Sequence, residues 1–296
     1  MLRLFVYGIS IIALTTLSGC FGRFVMTKKE LKEYYKDKPE KPTYFTIQND
    51  SVSLFCATAG NDTLPPLLLI HGAPGAWYGS RNFLEDSALK ANFHIIAMDR
   101  LGYNNSRFKN KKKAVTSIEI QSIAIHEAMR LNRSRKTGVV LGSSYGAPIA
   151  ANIAILYPEE FHHVVMLAPA IDPDNEKFWW FHKFIKHGPI KWMLPRFFKT
   201  TGSEKFAHVK ELKLMLPKWE QLTVPITVVQ GGKDEIVDPV NLDFAKAQLI
   251  DKRAEFIFLP EAGHLIRWQY PELVKKILLQ SIPEIRSLNI SAAQIP

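Results

Sequence analysis

Cysteine is nearly absent: the chain of 296 residues holds two, Cys20 and Cys56. That excludes a disulfide framework and a zinc site built from cysteines. Acidic residues are scarce, 28 against 38 Lys plus Arg, and the formal net charge is +10. Such a balance suits nucleic acid, an anionic membrane surface or plain solubility. No recognition motif accompanies the charge, so no nucleic-acid partner is expected. Long apolar runs are missing beyond the N-terminus, which excludes a polytopic membrane protein. Internal repeats are missing too, and the one low-complexity tract, Lys109-Asn110-Lys111-Lys112-Lys113, reads as a solvated loop. With 47% hydrophobic and 22% charged residues the chain is neither a disordered tail nor a coiled coil. Its length allows one or two domains.

The first residues carry an address. Met1-Leu2-Arg3 supplies one positive charge, Leu4 to Leu17 is almost continuously apolar, and no acidic residue precedes Glu30. This is the layout of a secretory signal. The apolar run, about 14 residues, is shorter than the roughly 20 that a stable span needs. It ends in Leu17-Ser18-Gly19-Cys20, which resembles a bacterial lipobox. That resemblance implies a signal peptide over 1–19, cleavage before Cys20, and a diacylglycerol (with palmitate-type acyl chains) on its thiol. The competing reading is a short uncleaved anchor. A lipid anchor on Cys20 implies a cell-envelope location and a membrane partner. Phe21 stands where an Asp commonly retains such proteins in the inner membrane, which favours the outer membrane in an organism that has one. Residues 20–42 are polar and Lys-rich and read as a tether, either attracted to anionic headgroups or simply solvated. Cys56, left alone, reads as a small buried hydrophobe.

From Thr43 onward strands alternate with helices. Thr43 to Gln48 and Ser53 to Thr58 flank Asn49-Asp50 and predict a hairpin. Further short apolar runs lie at Leu67 to Ile70, Phe93 to Met98, Thr137 to Leu141, Val164 to Leu167, Ile226 to Val229 and Glu255 to Leu259. Runs of this length suit strands buried on both faces of a parallel sheet. Helical patterns lie between them, at Ser117 to Met129, Tyr145 to Tyr157 and Pro271 to Gln280. The expected class is α/β, an open and mostly parallel sheet with helices on both faces. The chemistry of such sheets sits at the carboxyl ends of the strands. Asp172 to Trp219 breaks the rhythm. It has no strand-like run, is rich in aromatics interleaved with Lys and Arg, and predicts a helical cap inserted over about 170–220.

The segments just after the strands carry a catalytic constellation. Thr137 to Leu141 runs into Gly142-Ser143-Ser144-Tyr145-Gly146 and then a helix. G-x-S-x-G between strand and helix is a nucleophile elbow, which holds a serine hydroxyl clear of the backbone at a helix N-terminus. Ser144 is its centre and Ser143 the neighbouring candidate. A serine nucleophile needs a base. His264, in Pro260-Glu261-Ala262-Gly263-His264, comes a short loop after the last strand and is preferred over the other eight of the 9 histidines. The base needs an orienting carboxylate. Asp234 comes after Val229 through Gln230-Gly231-Gly232-Lys233. Glu235, Asp238 and, more seriously, Asp172 compete with it.

These residues resemble the α/β-hydrolase family, in the order Ser144, Asp234, His264. His71-Gly72-Ala73-Pro74-Gly75 looks like the family's HGxPG oxyanion loop. Asp99-Arg100-Leu101-Gly102-Tyr103-Asn104-Asn105-Ser106 looks like its DRxGxGxS turn, with Asn where a glycine is often found. The resemblance runs over about 43–280 within a domain of 43–296, and is weakest across the cap. It implies that the backbone N–H groups of Ala73 and Tyr145 bind the oxyanion and that His71 is structural. It also implies a small-molecule acyl substrate, and neither metal nor cofactor. Ser at the elbow, in place of the Asp of dehalogenases and epoxide hydrolases, implies acyl transfer, with carboxylic esters favoured. Prolyl-aminopeptidase-like, amide and C–C hydrolysis, and acyl transfer to another acceptor, are alternatives. A binding lipoprotein without catalysis is the reading outside enzymes. Trp77, Tyr78, Trp179, Trp180 and Leu265 are pocket candidates. The cap aromatics either line that pocket or form an interfacial helix on a bilayer.

Overall fold

The structure is a computed structural model and describes residues 26–109, 115–178, 196–250 and 252–282. Its backbone forms two compact units, Met1–Lys41 and Pro42–Pro296. In the first, the tether contains a helix, α1 (Lys28–Tyr34), where the composition suggests only a linker. Thr27 and Glu30 explain it. The Thr27 hydroxyl accepts from Glu30 N at 3.2 Å, and the Glu30 carboxylate accepts from Thr27 N at 2.7 Å. This reciprocal capping box satisfies two donors that a helix start leaves open. The signal segment 1–19 and Cys20 lie outside the described residues.

The second unit is built on one sheet. Its strands are β1 (Thr43–Gln48), β2 (Val52–Ala59), β3 (Pro66–Ile70), β4 (His94–Met98), β5 (Arg107–Phe108), β6 (Gly138–Ser143), β7 (Phe161–Leu167), β8 (Ile226–Gly231) and β9 (Ala254–Leu259). The spatial order is β1-β2-β4-β3-β6-β7-β8-β9, with β5 on the flank of β2. β1 and β2 form the expected antiparallel hairpin. Asn49 Oδ1 closes its turn by accepting from Ser51 N and Val52 N, each at 2.8 Å. From β4 to β9 all pairings are parallel. β3, β4 and β8 are buried along their whole length, as their mostly apolar composition suits. β9 differs. None of its residues is buried, and Glu255 and Phe258 are exposed, because it is the edge strand. Cys56 is fully buried in β2, and burial pushes its thiol pKa up.

Helices cover the sheet: α2 (Arg81–Glu85), α3 (Ser87–Asn92), α4 (Ile118–His126), α5 (Gly146–Leu156), α6 (Arg196–Met215), α7 (Asn241–Gln248), α8 (Ile266–Gln269) and α9 (Pro271–Gln280). α4 ends at His126 and continues as a 3-10 turn over Glu127–Leu131, where the sequence pattern predicts one continuous helix. α5 is almost wholly buried and forms the middle of the main core with Leu68, Ile70 and Val140. α6 belongs to the insertion. It buries Glu204, His208, Leu212 and Met215, a spacing of three and four that puts one face inward. Residues 179–195 of the insertion, with Trp179 and Trp180, lie outside the described residues.

The strand order positions the site. From β3 the chain steps to β4 on one side, then crosses to β6 on the other. The loops after β3 and β6 therefore diverge from a switch point at the carboxyl edge, the place where open α/β sheets bind their ligands.

Candidate active site

The loop after β6 is a tight, strained turn. Ser144 has φ +53°, a left-handed conformation that costs a non-glycine residue about 1 kcal/mol or more. Two backbone bonds hold it there. Ser144 N donates to Leu167 O at 2.9 Å, and Ala147 N donates to Ser144 O at 3.0 Å. Gly142 is required by proximity: a Cβ there would stand 2.2 Å from Gly146 O. Ser144 stays partly exposed while Tyr145 behind it is buried.

Ser143 is held differently. Arg267 of α8 donates from Nη2 to Ser143 Oγ at 2.7 Å and from Nη1 to Ser80 Oγ at 3.0 Å. Its Nε has no partner among the described residues, and burial pushes its pKa down to about 10. No carboxylate pairs with Arg267 among the described residues. A buried unpaired cation is costly, and groups of that kind gather at functional sites. Sequence reasoning missed this arginine, because no motif marks it and its partners lie far away along the chain.

The loops after β8 and β9 touch closely. A Cβ on Gly231 would stand 2.4 Å from Ala262 O, so only glycine permits the approach. Lys233 N donates to Ala262 O at 2.9 Å and locks the two loops together. The result is that Asp234 Oδ2 lies 2.8 Å from His264 Nδ1. Asp234 Oδ1 accepts from Ile236 N and Val237 N, each at 2.9 Å, and Gln230 Nε2 adds a bond to Oδ2 at 3.3 Å. The carboxylate is fully buried, and its hydrogen bonds fix its plane. A proton on His264 Nδ1 is the one this carboxylate is placed to accept, which leaves Nε2 as the ring nitrogen not engaged by Asp234.

The rival residues are occupied elsewhere. Asp172 accepts from Asp174 N at 2.9 Å and Asn175 Nδ2 at 2.8 Å, closing its own turn. Asp238 accepts from Val240 N and pairs with Lys177, and Glu235 is exposed. His126 also meets a carboxylate, Glu160 at 2.8 Å, but Glu160 precedes β7 and so lies at the opposite edge of the sheet.

The loop after β3 carries Ala73. His71 braces it: Nδ1–H donates to Gly72 O at 2.7 Å, and Nε2 accepts from Arg100 N at 2.9 Å. Burial, with the charge of Arg100 next, holds the His71 pKa well below the ordinary imidazole value. A neutral ring bonded at both nitrogens is structural, as the resemblance implied. Neither Ala73 N–H nor Tyr145 N–H donates to another described residue. Trp77 and Tyr78 are 4% and 3% exposed. The Trp77 ring packs on Tyr44 and Tyr78, at 5.3 and 5.7 Å between centroids. Leu265 is half-buried directly after His264.

The chain has relatives among known proteins. The model of the Alpha/beta hydrolase family matches residues 67–276. "Lipase 1" of Psychrobacter immobilis is 22% identical over 293 residues, covering 88% of this chain and 89% of that protein. "Lipase 3" of Moraxella sp. (strain TA144) is 22% identical over 295 residues, covering 88% and 90%. The crystal structure of a membrane phospholipase A aligns with a TM-score of 0.62 at 17% identity, covering 97% of this chain and 99% of that one. At that identity the likeness is one of fold.

Proposed function

The chain belongs to the α/β-hydrolase family and has its fold, and on that premise we propose that it is a serine hydrolase of carboxylic esters. Ser144 is the nucleophile, His264 the base and Asp234 the orienting acid. Ser144 Oγ attacks the ester carbonyl while His264 Nε2 takes its proton. The imidazolium is stabilised by the buried Asp234 carboxylate. The backbone N–H groups of Ala73 and Tyr145 receive the oxyanion, and the start of α5 adds its dipole. His264 returns the proton to the leaving alkoxide, and water releases the acid from the acyl-enzyme.

The observation that carries this reading is the 2.8 Å bond between Asp234 and His264, made at the carboxyl edge that also presents Ser144. Serine at the elbow supports acyl transfer over epoxide opening. The two lipases covering nearly the whole chain support an ester substrate. The test is labelling by a fluorophosphonate probe together with a p-nitrophenyl ester series from acetate to palmitate. Labelling at Ser144 and turnover of at least one ester are expected. Labelling without ester turnover would move the substrate to amides, peptides or C–C bonds. Neither, from a folded chain, would leave a binding lipoprotein.

The envelope location is part of the same proposal. The lipobox-like Leu17-Ser18-Gly19-Cys20 supports a lipid anchor on Cys20, and Phe21 after it favours the outer over the inner membrane where a cell has both. Mass spectrometry of the chain purified from membranes is expected to find a diacylglyceryl group on an N-terminal Cys20. An intact Met1 with a free Cys20 thiol would overturn the anchor.

A further inference from the structure

The insertion reaches the oxyanion loop through one buried ion pair. Arg100 and Glu204 have fully buried side chains and meet as a fork, Nη1 to Oε1 at 2.6 Å and Nη2 to Oε2 at 3.0 Å. Glu204 is on α6, so its carboxylate comes from the inserted helix. Tyr103 OH donates to Oε2 at 2.6 Å and Gln121 Nε2 to Oε1 at 3.4 Å. Arg100 spends its other donors on the loop after β3: Nε on His71 O at 2.9 Å and Nη2 also on Gly72 O at 3.1 Å.

The second of these carbonyls matters for chemistry. Gly72 C=O and Ala73 N–H are the two ends of one planar peptide unit. Gly72 O accepts from both Arg100 Nη2 and His71 Nδ1. Two donors on the oxygen fix the peptide plane, and so the direction of Ala73 N–H at the far end. Charge drawn toward the oxygen also makes that N–H a stronger donor, since hydrogen bonds in series polarise one another. A well-packed apolar pair in place of a buried ion pair is often as stable or more so. Stability alone therefore gives a weak reason to bury this one, whereas orienting the peptide needs the fork.

We infer that Glu204 is a positioning residue for the oxyanion donor: it holds Arg100, and Arg100 orients and polarises the Gly72–Ala73 peptide. This rests on the serine-hydrolase reading. It adds that the inserted helix is wired to the transition state and is more than a cover.

The test is Glu204→Gln in the full chain, with turnover counted per site titrated by the fluorophosphonate probe. The carbonyl stretch of a slowly hydrolysed cinnamoyl acyl-enzyme is read beside it. Deleting an oxyanion donor outright costs about 100- to 1000-fold in kcat. Loosening one is expected to cost about 10- to 100-fold in kcat, with KM within about twofold and the carbonyl stretch moved to higher wavenumber. A residue that only holds the insertion in place would lower the number of titrated sites and leave both readings per site unchanged. That result would overturn the inference. Should Glu204→Gln fail to fold, Glu204→Asp keeps the charge paired and only withdraws the fork. It is expected to fall between the native chain and the losses above, and native values for kcat and stretch would overturn the inference equally. A native chain that forms no acyl-enzyme at Ser144 is detected before any variant is made. It would sink the serine-hydrolase reading itself and this inference with it.

Discussion

Ser144→Ala is expected to lower kcat/KM on the best ester by about a million-fold, the scale of losing a serine nucleophile outright. Probe labelling should vanish with it. The size of the effect stems from the elbow. Ser144 is the residue that the turn forces to φ +53°, and it stays partly exposed over the start of α5. Ser143 is the poorer nucleophile, because its hydroxyl oxygen accepts from the Arg267 guanidinium, which draws electron density from it. Ser143→Ala should therefore keep most of the turnover, and a loss as large as that of Ser144→Ala would make Ser143 the nucleophile. The strain gives an independent readout. Glycine adopts positive φ freely, so Ser144→Gly should be at least as heat-stable as Ser144→Ala, by up to about 1 kcal/mol. A melting comparison checks this. A clearly less stable glycine variant would mean that the turn stores no strain at this position.

The strands were legible in the sequence where one signal decides them. Leu67 to Ile70 is an unbroken apolar run and Ile226 to Val229 is interrupted only by Thr227, and both are strands buried along their length. The elbow and the loop carrying His264 were legible because each comes directly after such a run. What stayed hidden depends on contacts distant in sequence. Arg100 and Glu204 are 104 positions apart, and neither residue alone predicts a buried fork. Arg267 reads as one more surface cation in a chain of net charge +10, yet it is buried against Ser80 and Ser143. β9 looks like an inner strand in the sequence because its apolar run does not say which strand ends the sheet. α1 is the opposite case: Thr27 and Glu30 are three apart, so its capping box is a purely local signal.

Asp234→Asn is the second large effect, an expected drop of about 10,000-fold in kcat at neutral pH with little change in KM. The reason lies in the tautomer. Asp234 Oδ2 lies 2.8 Å from His264 Nδ1, and in the proposed mechanism it accepts the Nδ1 proton and leaves Nε2 to act as base. An asparagine in the same place can turn its amide toward Nδ1 and donate. The neutral ring would then carry its proton on Nε2 and could not accept from Ser144. The two backbone donors from Ile236 and Val237 fix the other oxygen in place. They would still find the amide oxygen, so the loop should survive the change and the variant should fold. Asp172→Asn is the matching control. Asp172 accepts from Asp174 N and Asn175 Nδ2 and closes a turn after β7. Its loss should cost stability of that turn and leave kcat within a few-fold. Kinetics on both variants with one ester separate the two acids. A 10,000-fold drop for Asp172→Asn and a mild one for Asp234→Asn would transfer the catalytic role. Equal mild drops would mean that His264 is oriented by its loop and not by a carboxylate. Since Gly231 lets the loops after β8 and β9 close on each other, a side chain there should reproduce part of the Asp234→Asn loss by pushing His264 away from its acid.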